Sequence, residues 1–283
     1  MSKRTDEREA RLEAMHEALV AKTSALVTSE GWMEYLAFAA RFRQYSFNNT
    51  LLILIQCPHA TRVASYKKWA EMGRQVEKGQ KSLSIFAPMM RKREDEKTGE
   101  EKRYVSGFRL VPVFDVSQTV GDDLPEDPSR PVLLNGEAPE GLWESLADIV
   151  AAHGYRIERG ECGGANGFTR PSDSLIRVRD DVSDAQAVKT LVHEVAHMLL
   201  HTDDKDLTED AILHRNVAEV EAEGVAHIVA EVHGLPTDDY SLPYIAGWSD
   251  GKSEVVAATA DRVLRTAKQI LATTDATEEV AAA

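Results

Sequence analysis

Cysteine is scarce, long apolar runs are missing and positive charge is in short supply, and each shortage removes a class of protein. Of 283 residues only Cys57 and Cys162 are cysteines, too few for a disulfide-built secreted domain and without the spacing of a zinc knuckle or redox pair. So few thiols suit a reducing compartment. No stretch approaches the ~18 consecutive apolar residues of a membrane span, and the polar N-terminus lacks a signal-peptide pattern. The expectation is a soluble, cytoplasmic protein with no membrane partner. Lys and Arg number 33 against 47 Asp and Glu, a net charge of −14, which taken whole argues against binding nucleic acid.

The shortage of positive charge is uneven. Residues 1–118 carry 20 Lys and Arg against 15 Asp and Glu, whereas residues 119–283 carry 13 against 32. Halves of opposite sign suggest a domain boundary, and a chain that is 43% hydrophobic has enough apolar material for two cores. The Asp/Pro/Gly-rich run Gly121-Asp122-Asp123-Leu124-Pro125-Glu126-Asp127-Pro128 reads as linker. The expected fold class is α+β in two domains. A small helical and β-hairpin domain covers 1–119, a linker 120–138, a mostly helical domain with a small sheet 139–273, and a disordered tail 274–283.

One stretch has chemistry that can be named directly. Lys189 to His201 contains His193-Glu194-Val195-Ala196-His197 inside an apolar helical run. Histidines four apart share one helix face, from which both imidazoles reach one Zn2+, and Glu194 can deprotonate a metal-bound water. A lone histidine on such a face is more often packed core. Two histidines and a glutamate on a core-facing helix need partners, because unpaired polar groups there are costly. A third ligand is sought in Glu219-Val220-Glu221-Ala222-Glu223, where Glu219 and Glu223 share a face and Glu221 points elsewhere. Glu219 is the chosen ligand, and Glu223 the acceptor for the N–H of a liganding histidine. Tyr244 is the candidate donor to an oxyanion. His201 reads as a loop-edge residue.

In the first half, the aromatic run from Gly31 to Phe42 reads as core, and Met89 to Phe114 as a β-hairpin with a charged tip. From His59 to Arg109 there are 13 basic against 7 acidic residues, with aromatics interleaved. Positive charge attracts phosphates and aromatic faces stack on unpaired bases, which suits single-stranded nucleic acid; a basic surface around a small core would look the same. The candidate contacts are Arg74, Lys78, Lys81, Tyr66 and Trp69, with core packing the alternative for Trp69.

The N-terminal motifs Tyr45-Ser46-Phe47-Asn48-Asn49, Gln56, Trp69, Gly73-Arg74, Lys78-Gly79, Ala87-Pro88 and Phe114-Asp115-Val116-Ser117-Gln118-Thr119 resemble those of ArdC-type antirestriction proteins. The resemblance covers about residues 10–119 and implies a domain that binds single-stranded DNA. Thr190 to His197, with Glu219-Val220-Glu221-Ala222 and Ala226, resembles the ImmA/IrrE group of zinc peptidases and implies Glu219 as third ligand. The chain departs from that group at Glu223-Gly224, where its members carry Asn or Asp and then a larger residue. Together these imply an ssDNA-binding domain joined to a zincin-like metallopeptidase domain. The expected activity is that of a zinc metalloendopeptidase, acting on an unidentified protein substrate with Glu194 as base. Two alternatives stand beside it. One is a non-proteolytic, DNA-coating antirestriction protein with a structural metal; the other is a DNA-stimulated peptidase that cleaves a repressor.

Overall fold

The structure, a computed structural model, describes residues 3–26, 28–94, 101–124, 138–201, 211–235 and 252–281. The fold is mixed α+β, with helices around small open sheets. Two compact units form, one from Met1–Lys22 with Asn48–Pro125, the other from Thr23–Phe47 with Glu126–Ala283. The aromatic run that opens the chain's second helix therefore joins the C-terminal residues. Among the described residues no helix is long and apolar enough to cross a membrane.

The first unit takes in most of α1 (Lys3–Ala25) and α3 (Phe47–Gln56), and then β1 (Val63–Ala64), α4 (Tyr66–Glu71), β2 (Arg74–Val76), β3 (Leu83–Glu94), β4 (Glu101–Asp115) and β5 (Thr119–Gly121). Strand order is β1-β4-β3, all antiparallel, with β2 and β5 paired separately. Leu83, Ile85 and Val113 alternate inward and are buried. Register runs from Leu83 opposite Val113 to Glu94 opposite Glu101, with a bulge between Pro88 and Met90.

Side-chain amides finish this sheet. β3 is an edge strand, and Asn49 and Gln56, two turns apart on one face of α3, pair with its free backbone. Asn49 Nδ2 donates to Phe86 O at 2.9 Å, and Phe86 N donates to Asn49 Oδ1 at 2.8 Å. Gln56 repeats the exchange with Ser84 at 3.0 and 2.9 Å. At the end of β4 the buried Asp115 carboxylate accepts from the backbone N–H groups of Thr61, Arg62 and Ser117 at 3.0–3.1 Å. Gln118 closes a capping box onto Asp115.

The second unit contains α2 (Ser29–Arg41), α5 (Leu142–Ala152), β6 (Arg156–Arg159), β7 (Gly167–Arg170), β8 (Leu175–Val178), α6 (Asp184–His201), α7 (Ala211–Val232) and α8 (Ser253–Ala281). Its sheet has order β6-β8-β7, with β6 parallel and β7 antiparallel to β8. α6 packs on this sheet and against α7, which in turn packs on α8 and α2. Trp32, Tyr35, Phe38 and Phe42 of the aromatic run are fully buried, and Phe38 stacks on Phe42 at 4.6 Å. Gly224 lets α7 come close to α8: a Cβ there would meet the Val263 methyls at 3.1 and 3.2 Å.

Replacing Asn49 by Ala leaves the Phe86 N–H and C=O without their partner and is expected to lower stability by about 1–3 kcal/mol. Urea unfolding reads the change as a lower midpoint at constant slope. An unchanged midpoint would mean that water replaces the amide at no cost.

Candidate functional site

α6 starts where Ser183 Oγ accepts from Gln186 N at 3.3 Å, and its 3.6-residue period then stacks His193, His197 and His201 along one face. The rings of His193 and His197 lie edge to face, centroids 4.7 Å apart. Their Nε2 atoms are 3.0 Å apart and both face Glu219 of α7, each 3.5 Å from one carboxylate oxygen. The three donor atoms lie within 4.8 Å of one another, and two imidazoles with a carboxylate make a donor set that could hold a divalent cation. Glu219 is 48% exposed, so the cluster opens to solvent on that side.

On the other side of His193, Glu223 Oε2 lies 3.1 Å from Nδ1 and orients the ring. Burial alone would push the His193 imidazolium down. The carboxylates of Glu219 and Glu223 outweigh burial, and the group is pushed up to about 10. The same contacts with His193 and His197 hold the Glu219 carboxyl well below the usual carboxylate range.

Glu194 points to the sheet side of α6. It is 6% exposed and accepts a hydrogen bond from Thr169 Oγ1 of β7 at 2.8 Å, the same hydroxyl lying 2.9 Å from the Glu194 carbonyl oxygen. Burial pushes its carboxyl up, partly offset by His193 and His197. β7 reaches this close because residue 167 is glycine: a Cβ there would meet Thr190 Cγ2 at 2.6 Å, Arg177 O at 2.9 Å and Glu194 Cγ at 3.2 Å.

Below the cluster sits an ion-pair group that sequence reasoning missed. Glu221 is the most buried of Glu219, Glu221 and Glu223; it accepts from Arg262 Nε of α8 at 2.5 Å and lies 3.4 Å from His201 Nε2. His201 is thus the half-buried last residue of α6, not a loop-edge residue. The offset of Glu221 from the face shared by Glu219 and Glu223 was the available signal. For Thr169 there was none. Tyr244 lies outside the described residues.

Of the expected DNA contacts, Tyr66, Lys78 and Lys81 are exposed. Trp69 is 0% exposed and donates its indole N–H to Phe114 O at 2.9 Å, so its ring is closed to bases and its place in that set is corrected. Arg74 is committed to the backbone of the β2–β5 pair: Nε donates to Thr119 Oγ1 at 2.8 Å, Nη2 to Thr119 O at 3.0 Å, and Nη1 to Asp122 O.

Residues 3–114 match the family described as the N-terminal domain of anti-restriction factor ArdC. An uncharacterized protein of Bacillus anthracis, pXO2-81, is 27% identical over 86% of this chain, which spans only 47% of that protein's length. The metal-free crystal structure of the antirestriction ArdC protein from the R388 plasmid has a TM-score of 0.53 at 22% identity, covering 82% of this chain and 85% of that one. Its Mn(II)-bound structure has a TM-score of 0.52 at 20% identity, covering 81% and 85%.

Two expectations are corrected by these findings. The zinc metallopeptidase of the ImmA/IrrE group, with Glu194 as its base and a protein as substrate, gives way, because both solved structures named above share this fold and are of an antirestriction protein. The expected base, Glu194, is 6% exposed beneath β7, and its carboxylate is held by Thr169. The assignment of Zn2+ also gives way, since one structure of the R388 protein is Mn(II)-bound and this donor set does not select zinc by ligand type.

A cation entering the cluster has to displace the proton that His193 holds up to about pH 10. His193 is raised above its ordinary 6.5, so the stability it adds to the metal-free fold is complete below pH 6.5 and lost as pH rises through 10. Mn(II) affinity should accordingly rise about tenfold per pH unit between pH 6.5 and 8, with one proton released. Titration calorimetry in two buffers of different ionisation enthalpy reads both, and a flat pH dependence would show His193 already neutral. Replacing Glu221 by Ala should cost about 3 kcal/mol by chemical denaturation, because Arg262 and His201 lose their common partner. Taken together, residues 3–114 match the ArdC N-terminal domain, and the fold is like that of the R388 ArdC protein over most of the chain.

Proposed function

We propose that this is an antirestriction-type protein of the cytoplasm that binds single-stranded DNA through its first unit. In it His193, His197 and Glu219 hold a divalent cation, which ties α6 to α7 and takes no part in hydrolysis. The match of residues 3–114 to the ArdC N-terminal domain carries the reading. It is supported by the excess of 13 basic over 7 acidic residues between His59 and Arg109, against the acidic balance of the rest of the chain. The structural part given to the metal is supported by donors drawn from two helices and by Glu223, which holds the His193 ring from behind. Positive charge on such a cluster also relieves Glu219 and Glu223, which stand one turn apart on the same helix face.

Fluorescence anisotropy with labelled oligonucleotides tests the reading in full-length protein. Binding should prefer single strands to duplex, weaken steeply with salt, and survive chelation of metal. The chelator should instead lower the thermal midpoint. No binding at low salt would end the DNA reading, and unchanged thermal stability after chelation would end the structural role of the metal.

A further inference from the structure

The first unit leaves large apolar side chains in water, and it leaves them in one region. Among the described residues eight large apolar side chains are exposed, and five of these, Met89, Met90, Tyr104, Val105 and Phe108, stand on the β3–β4 hairpin. Phe108 is the most exposed at 62%, and Tyr66, on α4, follows at 60%. They belong to two aromatic pairs. Phe86 meets Phe108 edge to face at 6.5 Å, and Tyr66 meets Phe114 in the same way at 6.5 Å. Alternation along β4 puts Phe108, Leu110, Pro112 and Phe114 on one face, so the two pairs stand about 20 Å apart on a continuous apolar strip.

Charge decides what covers this strip. Lys67 and Lys68 follow Tyr66 and are 89% and 62% exposed, with only a surface ion pair to Glu71. Arg91 is exposed and lies opposite Tyr104 in the hairpin register. A second copy of this chain would bring like charge against like charge. A ligand with regularly spaced anionic groups and flat apolar faces fits both features, and duplex DNA keeps its base faces stacked inside.

We infer that the face carrying Tyr66, Phe114, Phe86 and Phe108 is the platform on which unpaired DNA bases stack, with Lys67 and Lys68 taking the flanking phosphates. The inference rests on the single-strand-binding reading above and adds the surface that does it. Base contact comes from ring faces and not from hydrogen bonds, so binding tolerates sequence. The expected site, Lys78 and Lys81 included, thus shifts its weight from the β2 turn to the hairpin.

Full-length Phe108→Leu and Tyr66→Leu variants test it, since leucine keeps apolar contact but has no ring face. Each should weaken binding of a mixed-sequence oligonucleotide roughly 5- to 100-fold with the salt slope unchanged. Phe108→Trp should restore affinity. A Lys67→Gln, Lys68→Gln double variant should instead flatten the salt dependence, by about 0.7 for each phosphate no longer neutralised. Both rings are surface groups, and equal thermal midpoints would verify the fold. If wild-type protein binds single strands and the leucine variants bind equally well, the platform is wrong while the single-strand reading stands. If wild-type protein does not bind, both fall. Dissociation of a dimer by Phe108→Leu, with DNA affinity unchanged, would assign the strip to self-association and overturn the inference.

Discussion

Charge buried between helices has to be met by a partner from a neighbouring helix, and the second unit is arranged around that requirement. α7 turns Glu219, Glu221 and Glu223 toward α6 and α8, and each finds its counterpart there. Glu221 is the deepest and is met by Arg262 and His201. Glu223 is met by one nitrogen of His193, while the other nitrogen turns toward Glu219 and His197. Removing any one partner would strand the next, because the low-dielectric interior that strengthens these contacts also makes an unmatched group expensive. The donor cluster is therefore the solvent-facing end of a longer polar column.

Close approach of backbone is the other condition for this arrangement. Gly167 brings β7 onto α6, which lets Thr169 take the Glu194 carboxylate. Gly224 brings α7 toward α8 in the middle of a helix, where glycine costs about 1 kcal/mol relative to alanine. Both glycines trade local preference for packing. The departure at Glu223-Gly224 thus has a physical account: a larger residue at 224 would push α8, and Arg262 with it, away from Glu221.

The first unit solves a different problem with neutral groups. An exposed edge strand invites pairing with another chain, and Asn49 and Gln56 occupy β3 with amides that imitate a neighbouring strand. Asp115 gathers three backbone N–H groups where β4 ends, and Arg74 secures β5. With edge and termini closed in this way, the hairpin can carry exposed rings on its face without inviting strand addition.

Local periodicity made much of this legible. Spacing alone set His193 and His197 on one helix face and Glu219 with Glu223 on another, and the apolar helical run from Lys189 to His201 falls within α6. The same spacing suggested hydrolysis, since a donor set looks alike whether or not a base beside it can reach substrate. What surrounds Glu194 is a strand distant in sequence, and no local period encodes it. Trp69 stayed open for a related reason: an aromatic among lysines is equally consistent with a base platform and a core anchor until the backbone beneath it is known. By itself the sequence determined which side chains share a face, because that follows from the geometry of one helix or strand. Only the tertiary structure decided which of those faces meet, and therefore which carboxylate is buried, which histidine is held and which ring remains in water.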